Sequence, residues 1–507
     1  MFASVPSAVL FGAQGHPVSV EVHVGKGLPG FHVVGLPDES VRESRDRVRA
    51  AVMSSGARWP DTKITVNLAP SRQRKSGSGL DLAIAIGVLA ASEQIPVESI
   101  QRMGFVGELG LDGSIRSVPG VAPMAGVLEV DDLVVPAGNA HEAAIIADGH
   151  VRPCRHLREL MAVCNESAPW PDHDDRPDDA VPTSEPDLSD VIGQPLARRA
   201  LEIAAAGGHH CLFVGPPGAG KTMLAARLPG LLPPLDRHEA LAVTMIHSAA
   251  GVALPPDGLV VRPPFRAPHH TSSQVAMVGG GSVSLRPGEI SIAHCGVLFM
   301  DELPEFAPRV MDTIRQPLEE GEVSVSRAAL HVTIPSRFQL VAAMNPCPCG
   351  DGNEPGGCEC GDARLRKYVG RVSGPLLDRF DLRVKVDRPD VAQLLDNRPG
   401  ESSAVVRLRV AAARRRALDR QGVLNNRLAA RDLDQFAPLT PAALDCLRTE
   451  MERGRLSARG YHRLRRVART IGDLRPEGAD VLDEETIALA LGMRVRVRPP
   501  HTIERAA

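Results

Sequence analysis

The stretch Cys211-Leu-Phe-Val-Gly-Pro-Pro-Gly-Ala-Gly-Lys-Thr222 decides the fold of this chain. Its four apolar residues predict a buried strand, its glycines predict a tight turn, and Lys221 and Thr222 open a helix that continues to Leu228. This is the G-x-x-x-x-G-K-T phosphate loop in its expected setting, between a strand and a helix. The backbone N–H groups of such a loop close on an anionic phosphate, and the helix dipole adds to the attraction.

The phosphate loop assigns a role to each of its residues. We expect Lys221 to reach the β- and γ-phosphates of ATP and the Thr222 hydroxyl to bind Mg²⁺. The residues expected around the nucleotide are Gly215, Pro216, Pro217, Gly218, Ala219, Gly220, Lys221, Thr222 and, from a later strand, Asp301. The alternative, a chance glycine-rich turn, would not fill every fixed position of the motif.

Length and composition set the limits for the rest of the chain. A chain of 507 residues predicts three or four domains, and its 43% hydrophobic and 23% charged residues are typical of a globular protein. The net charge of -3 means that any binding of nucleic acid would depend on local basic patches. Because no apolar run could span a bilayer and no signal-peptide pattern opens the chain, we expect a cytoplasmic protein with reduced cysteines and no membrane partner.

Residues 1–165 are expected to form an α+β domain. Polar and apolar residues alternate in the predicted strands, whereas apolar residues recur at helical spacing in the predicted helices. The predicted strands are Val18–Val24 and Lys63–Leu68, the predicted helices are Asp38–Ser54 and Leu80–Ala91, and Gly104–Gly113 is expected to form a strand and a turn.

Two runs of this first domain, Arg74–Ala85 and Gly107–Gly120, resemble the proteolytic domain of Lon proteases, which has a fold similar to domain 2 of ribosomal protein S5. The resemblance would place the serine nucleophile at Gly79 and the lysine of the dyad near Ala122. A Ser–Lys dyad needs both side chains within hydrogen-bond reach. We therefore expect a Lon-like fold that lacks protease activity.

An acidic, proline-rich linker is expected at residues 166–188, followed by an ATPase core at 189–388. In this core, Gly296–Glu302 is predicted to be a second buried strand that ends in two carboxylates, the Walker B pattern. Asp301 would hold the Mg²⁺, and Glu302 would orient or deprotonate the attacking water. This pattern is common by itself, but downstream of a phosphate loop it is specific.

Two further residues are expected to take part in ATP hydrolysis. Asn345 ends a third predicted strand and would help to place the lytic water. Arg379 follows a short predicted helix and would reach the γ-phosphate bound to the neighbouring subunit. A local ion pair of Arg379 with Asp378 or Asp381 is the alternative interpretation.

The order of these parts resembles an AAA+ ATPase, in particular the magnesium-chelatase-like ComM/YifB group. The runs that carry this resemblance are Pro264–Thr271, Arg286–His294, Asp301–Phe306 and Asn345–Gly350. Together with the Lon-like front and the C-terminal lid, the resemblance covers nearly the whole chain. It implies an ATP-dependent homohexamer that encircles single-stranded or branched DNA. The implied function is helicase or branch-migration activity in recombination or natural transformation.

Two segments of the core bear on that implication. Glu322–Ile334 is predicted to be a β-hairpin, placed where related motors project a hairpin into a central pore, and Arg327 near its turn could contact phosphate. An ordinary exposed arginine is the alternative. The segment Pro263–Gly281 resembles the family's helix-2 insertion, and its adjacent His269 and His270 point in different directions in any regular element, which argues against a metal site.

Four cysteines fall within one short, glycine-rich loop at residues 347–360. Four thiolates in two close pairs can bind a tetrahedral Zn²⁺, although the single residue between the members of each pair is fewer than usual. The expected ligands are Cys347, Cys349, Cys358 and Cys360. Free thiols or a redox role are the alternatives.

The remainder of the chain, residues 389–507, is expected to form a helical lid. Its first helix carries a run of arginines that is either a solvated face or a surface facing DNA. The arginines of this run are Arg407, Arg409, Arg414, Arg415, Arg416 and Arg420. Arg459, at the start of a later helix, matches the sensor-2 arginine and would touch the γ-phosphate in cis.

These observations leave several functional hypotheses. The leading one is an ATP-driven DNA motor with ATP and Mg²⁺ as cofactors and zinc as a further candidate. The alternative is a magnesium-chelatase-like motor that acts on a protein partner or in metal insertion, although the Lon-like domain and the four-cysteine loop are not expected there. A protease would need a nucleophile at position 79, and a transcription activator would need a recognition helix or partner-contact loop, which we do not find.

Overall fold

The computed structural model describes residues 1–71, 75, 77–171, 186–281, 285–327, 330–350, 358, 360–389, 400–495 and 497, with the backbone alone at 326, 327, 330 and 331. The secondary structure predicted from the sequence is present with shifts of one or a few residues at most ends. No helix in these ranges combines the length and the apolar character needed to cross a membrane.

The chain begins with a four-stranded sheet in the order β1-β2-β4-β3, in which β3 and β4 run parallel and the other neighbours antiparallel. The strands are β1 (Phe2–Phe11), β2 (Gln14–Gly25), β3 (Gly30–Val34) and β4 (Lys63–Ala69). Two helices, α1 (Glu39–Ser54) and α2 (Asp81–Ala91), cover one face of the sheet. Every residue of α2 is buried, which explains why its sequence is apolar on all sides.

A second, smaller group of elements completes this N-terminal half. A parallel sheet in the order β5-β8-β9 and the two-stranded ribbon β6-β7 pack with three short helices. The strands are β5 (Met103–Phe105), β6 (Glu108–Leu109), β7 (Ile115–Arg116), β8 (Asp132–Pro136) and β9 (His150–Cys154); the helices are α3 (Val121–Ala125), α4 (Ala140–Ala144) and α5 (Leu157–Cys164).

The predicted linker lies partly outside the described residues, since positions 172–185 are not described. Its two ends are packed. Trp170 packs against the N-terminal core, with the Arg152 guanidinium 5.2 Å from the centre of its ring. Leu188 is buried in the core of the following domain.

The central domain contains a five-stranded parallel sheet in the order β11-β14-β17-β10-β18. Its strands are β10 (Cys211–Val214), β11 (Phe265–Arg266), β14 (Val297–Met300), β17 (Gln339–Met344) and β18 (Leu382–Lys385). The three middle strands are buried along their whole length, because helices cover both faces of a parallel sheet. Their carboxyl ends meet at one edge, where the predicted nucleotide residues follow.

Helices and two ribbons surround this sheet. The helices are α6 (Pro195–Gly207), α7 (Lys221–Leu231), α8 (Arg237–Ala250), α9 (Gln274–Val278), α10 (Glu289–Ile292), α11 (Pro308–Glu320), α12 (Asp362–Val369) and α13 (Gly374–Leu377). One ribbon pairs β12 (Gly279–Gly280) with β13 (Arg286–Pro287), and the predicted hairpin pairs β15 (Glu322–Arg327) with β16 (Leu330–Pro335). Because Phe265 and Arg266 belong to the sheet, the part of the predicted insertion that lies outside it begins after Arg266.

The chain ends in a helical domain that packs on α6 and α7. Its helices are α14 (Ser403–Gln421), α15 (Leu433–Phe436), α16 (Pro441–Glu452), α17 (Ala458–Asp473) and α18 (Glu484–Gly492). Several arginines of α14 are engaged within the chain: Arg409 with Glu202 and Glu401, Arg416 with backbone carbonyls, and Arg420 with Asp473. Half of the predicted arginine run therefore stabilises the packing of this domain.

Contacts between the N-terminal half and the central domain include one at α8 and one at the hairpin. The backbone N–H of Gly120 donates to the Ser248 carbonyl of α8 at 2.9 Å, and Glu142, buried beside them, hydrogen-bonds the Ser248 side chain. At the second place, Ala13 in the β1–β2 turn packs against a cluster of Ile246 with Val332 and Ile334 of the hairpin. The hairpin is thus held from the N-terminal side.

Candidate nucleotide-binding site

The phosphate loop connects β10 to α7 with the backbone that its glycines allow. Gly220 has φ of +85°, in the left-handed region, and immediately precedes the first residue of α7. A Cβ at Gly215 would lie 1.9 Å from the Val386 carbonyl oxygen, so only glycine fits there. The loop therefore presents its N–H groups at the N-terminus of α7, as an anion site requires.

Lys221 spans the loop and reaches the neighbouring strand. Its Nζ donates to the carbonyl oxygens of Gly215 at 2.7 Å and Pro216 at 2.8 Å, and to Asn345 Oδ1 at 3.0 Å. Burial lowers the pKa of Lys221, while the nearby Asp301 and Glu302 oppose that shift. The structure thus brings together a cation and an amide predicted from stretches 124 residues apart in sequence.

A pair of oxygen donors lies beside this lysine. Thr222 Oγ1 donates to Asp301 Oδ2 at 2.6 Å, so the end of β14 meets the start of α7. A hydroxyl and a carboxylate that close together are the oxygen donors that Mg²⁺ takes in phosphate-loop enzymes. The residues present therefore fit a magnesium ion bound with ATP.

Glu302 follows Asp301 in an unusual backbone conformation. Its φ is +52°, in the left-handed region that residues with a side chain rarely adopt, and its side chain is 55% exposed. Strain of this kind is typical of functional positions. The conformation leaves the carboxylate open to solvent, beside the residues expected to bind the phosphates, where it can contact a water molecule.

Sequence reasoning missed a partner of this carboxylate. His270 Nδ1 lies 3.4 Å from Glu302 Oε2, and the His270 ring packs edge-on to Phe306. From the sequence, His269 and His270 were considered only as possible metal ligands. The nearness of His270 to Glu302 depends on β11 running beside β14, which no local pattern shows.

Tyr368 is a second missed residue. It lies buried on α12, and its hydroxyl hydrogen-bonds with the backbone of Asn345. Burial raises the pKa of this phenol well above its usual range. A single tyrosine in a short helix gives no sequence signal of such a role.

The two predicted arginines are placed differently. Arg379 donates to the Pro375 carbonyl at 2.6 Å and pairs with Glu319 of α11. The alternative local pairs are not formed, because Asp378 pairs with Arg383 and Asp381 with Arg463. Arg459 lies exposed in the first turn of α17.

The backbone of Arg327 ends β15, where it pairs with Leu330 across the predicted hairpin. The turn residues 328 and 329 and the Arg327 side chain lie outside the described parts of the structure. Contact of Arg327 with DNA stays a prediction.

The four cysteines of the predicted zinc loop converge. Their Sγ atoms all lie within 4.8 Å of one another, and all four are free of disulfides. Cys347 is buried, Cys349 is exposed, and Cys358 and Cys360 are half-buried. Two close pairs of sulfur ligands are thereby brought into one cluster of the size that a metal ion occupies.

In the N-terminal half, the serine and the lysine that lie near position 79 in the sequence do not pair with each other. Ser78 donates to Glu108, and the buried Lys75 donates to the Pro70 carbonyl. Gly79 and Ala122 occupy the positions where the resemblance to Lon would place the dyad. Ser78 and Lys75 therefore do not form a dyad in place of the one that positions 79 and 122 lack.

A parallel sheet with a phosphate loop, a magnesium-binding pair and an amide at one edge defines a nucleotide-hydrolysing domain. Comparison with known proteins agrees with this class. The family description "Magnesium chelatase, subunit ChlI" matches residues 187–394, "Subunit ChlI of Mg-chelatase" matches 20–139, and "Magnesium chelatase, subunit ChlI C-terminal" matches 400–494.

Several relatives match along nearly the whole chain, and three of them illustrate the range of organisms. The uncharacterized protein Rv2897c of Mycobacterium tuberculosis is 45% identical over 96% of this chain and 97% of its own length. The uncharacterized protein YifB of Escherichia coli is 43% identical over 97% and 96%, and the competence protein ComM of Haemophilus influenzae is 42% identical over 98% of each chain. The chain belongs to the ComM/YifB family of magnesium-chelatase-like AAA+ proteins. Membership implies ATPase activity with ATP and Mg²⁺.

Proposed function

We propose that the protein is an ATP-driven DNA motor, a homohexamer with helicase or branch-migration activity on single-stranded or branched DNA in recombination or natural transformation. The observation that carries this proposal is the connection between the hairpin and the nucleotide site. The hairpin β15–β16 ends at Pro335, and β17 begins at Gln339 and leads directly to Asn345. A conformational change at the phosphates can therefore be transmitted to the hairpin through β17 alone.

The chain's residues divide the work of hydrolysis. ATP would supply the electrophilic phosphorus, and a Mg²⁺ ion bound with it would neutralise charge on the phosphates. Lys221 holds the phosphate oxygens, while Thr222 and Asp301 supply oxygen ligands. Glu302 accepts a proton from the attacking water, and Asn345 orients that water.

Arginines complete the proposed site. Arg379 would leave Glu319 and reach the γ-phosphate of the neighbouring subunit, where a guanidinium stabilises the charge of the transition state. Arg459 would approach the phosphate of its own subunit. Because each ATP site would take residues from two subunits, hydrolysis would require the ring to be assembled.

The hairpin is the proposed DNA contact. Arg327 ends β15 beside the turn, and a guanidinium there would contact phosphates without reading sequence. The name of the ComM relative, a competence protein, agrees with a substrate of DNA. We also propose that the N-terminal half has a Lon-like fold without protease activity, and that it supports the hairpin through Ala13 and Ile334.

A second candidate is a magnesium-chelatase-like motor that acts on a protein partner or in metal insertion. It is favoured by the chelatase-subunit descriptions that match both the central and the C-terminal domain. That candidate shares the ATP chemistry and differs in what the hairpin contacts.

A branch-migration assay tests the leading proposal. The full-length protein with ATP should convert a labelled four-way or three-stranded junction to products, and the Glu302→Gln variant should bind the same junction and leave it unchanged. A protein that hydrolyses ATP and never moves a junction or displaces a strand would overturn the proposal.

A further inference from the structure

The cysteine cluster has the dimensions of a tetrahedral metal site. A zinc ion with four sulfur ligands at about 2.3 Å separates those sulfurs by about 3.8 Å. Cys349 Sγ lies 3.6 Å from Cys358 Sγ, which joins the two halves of the loop, and 3.0 Å from Cys347 Sγ. An ion at tetrahedral spacing would spread the second pair by about 1 Å. All four Sγ atoms lie within 4.8 Å of one another, so no other pair is more than about 1 Å too wide for that spacing.

Core packing does not explain this cluster. Cysteines that act as small apolar residues are buried, as Cys154, Cys164 and Cys211 are here. Only Cys347 of the cluster is buried in the same way, while Cys349 is exposed. Four thiols that converge at a partly exposed loop are typical of a ligand set.

The cluster is joined to the nucleotide site on three sides. Cys347 stands two residues after Asn345, whose side chain accepts from Lys221. Gly350 packs on the phosphate loop, where a Cβ at its position would lie 2.7 Å from Pro217 Cγ. After the last cysteine, α12 begins within two residues and carries Tyr368 back to the backbone of Asn345.

We propose that Cys347, Cys349, Cys358 and Cys360 bind one Zn²⁺ and that this ion positions Asn345 against Lys221. Both ends of the cysteine loop reach Asn345, one along the chain and the other through Tyr368. An ion that closes the loop restricts the conformations open to both ends. The cysteines are thus positioning residues for hydrolysis, a role that rests on the proposed ATPase site.

Metal content tests the first half of this proposal. Zinc and iron are measured by mass spectrometry in full-length protein purified under reducing conditions, and one zinc per chain is expected. Cys358→Ser should lower the zinc content at least fivefold, whereas Cys446→Ser, in α16 of the C-terminal domain, should retain it. Iron in place of zinc, or no metal, would overturn the proposal.

A second measurement covers the case in which the cysteine variant does not fold. Titration of the wild-type protein with a mercurial should release one zinc per chain, detected with a chromogenic chelator. A wild-type protein that releases no zinc, with its thiols titrating as free groups or already joined in a disulfide, would contradict the assignment without any variant.

Basal ATPase kinetics test the second half. Cys358→Ser should lower kcat about tenfold, because the lytic water loses its alignment, and change KM for ATP less than twofold. Asn345→Ala should likewise lower kcat and leave KM for ATP nearly unchanged. The double variant should be no slower than Asn345→Ala alone. The positioning role would be overturned if kcat of the double variant fell by the product of the two single effects. It would also be overturned if kcat were unchanged after zinc loss. Since neither assay contains DNA, failure of the DNA motor proposal would leave both results interpretable.

Discussion

His270 Nδ1 lies 3.4 Å from Glu302 Oε2. The proposed catalytic base therefore has a partner in the segment that follows β11, the strand beside β14. Because Glu302 is held in a left-handed backbone conformation and is largely exposed, its carboxylate needs an external group to fix its direction. His270 is placed to do so.

Replacing His270 with alanine should lower kcat and leave KM for ATP nearly unchanged. A half-exposed pair of this kind is worth up to about 1 kcal/mol, so a loss of about two- to fivefold is expected. His150, which is exposed in β9 of the N-terminal half, provides the histidine control, because His269 packs against the His270 ring. Equal losses from both alanine variants would show that His270 has no specific role.

Lys221→Ala and Glu302→Gln should separate binding from turnover. Lys221→Ala removes the cation that holds the phosphates, so binding of a fluorescent ATP analogue should be lost. Glu302→Gln keeps the shape of the site and removes the proton acceptor, so binding should persist while turnover falls by about 10²- to 10⁴-fold. Normal hydrolysis by Glu302→Gln would mean that another group is the base.

Mixing two inactive variants tests whether Arg379 acts across a subunit interface. Arg379→Ala and Lys221→Ala should each lack ATPase activity, the first by about 10³-fold or more. Mixed at equal amounts after dissociation, they should regain about a quarter of the wild-type rate, because that share of interfaces in a ring joins an intact lysine to an intact arginine.

The control for this experiment mixes either variant with itself. If the mixture stays inactive although pull-down of one variant through an affinity tag recovers the other, and so shows mixed rings, Arg379 does not act in trans. Its pair with Glu319 would then be its full role.

Stability should decrease in acid through two histidines whose pKa values are lowered in the folded protein. Burial lowers the pKa of His294 from its ordinary 6.5 to about 4, and its Nδ1 accepts the Arg337 N–H at 3.0 Å, which requires the neutral ring. Above pH 6.5 this contribution is fully present, and it is lost as pH falls toward 4, by up to about 3 kcal/mol. His210, with its pKa also lowered to about 4 by burial, contributes in the same window.

Melting temperatures at pH 7, 5.5 and 4.5 check this prediction. The midpoint of the wild-type protein should fall with pH, and the fall should be smaller in His294→Asn, in which the amide oxygen can accept in place of Nδ1. His150→Asn, at an exposed position in β9, should follow the wild type. Identical pH profiles of wild type and His294→Asn would contradict the assignment.

The sequence predicted the parts of the fold that have a local signal. The strands that end at Val214, Met300 and Met344 are apolar except for Gln339 at the start of the third, and the phosphate loop identifies the first of them. β1 was missed because Pro6 and Ser7 interrupt its alternation. Ser7 is nevertheless buried, since its hydroxyl donates to the Phe105 carbonyl of β5.

The contacts that complete the site are non-local and therefore were not predicted. His270 meets Glu302 across adjacent strands, and Tyr368 returns to Asn345 after the whole cysteine loop. The arginine run of α14 shows the same limit. Charge alone could not distinguish a DNA-facing surface from the ion pairs of Arg409 and Arg420.

The most direct test of the DNA motor is the ATPase rate of the wild-type protein with single-stranded, double-stranded and branched DNA, each at low and at physiological salt. The proposal predicts strong stimulation that falls as salt rises, because phosphate contacts release counterions. An unchanged rate with every DNA at both salt concentrations would contradict it and favour a chelatase-like motor with a protein partner.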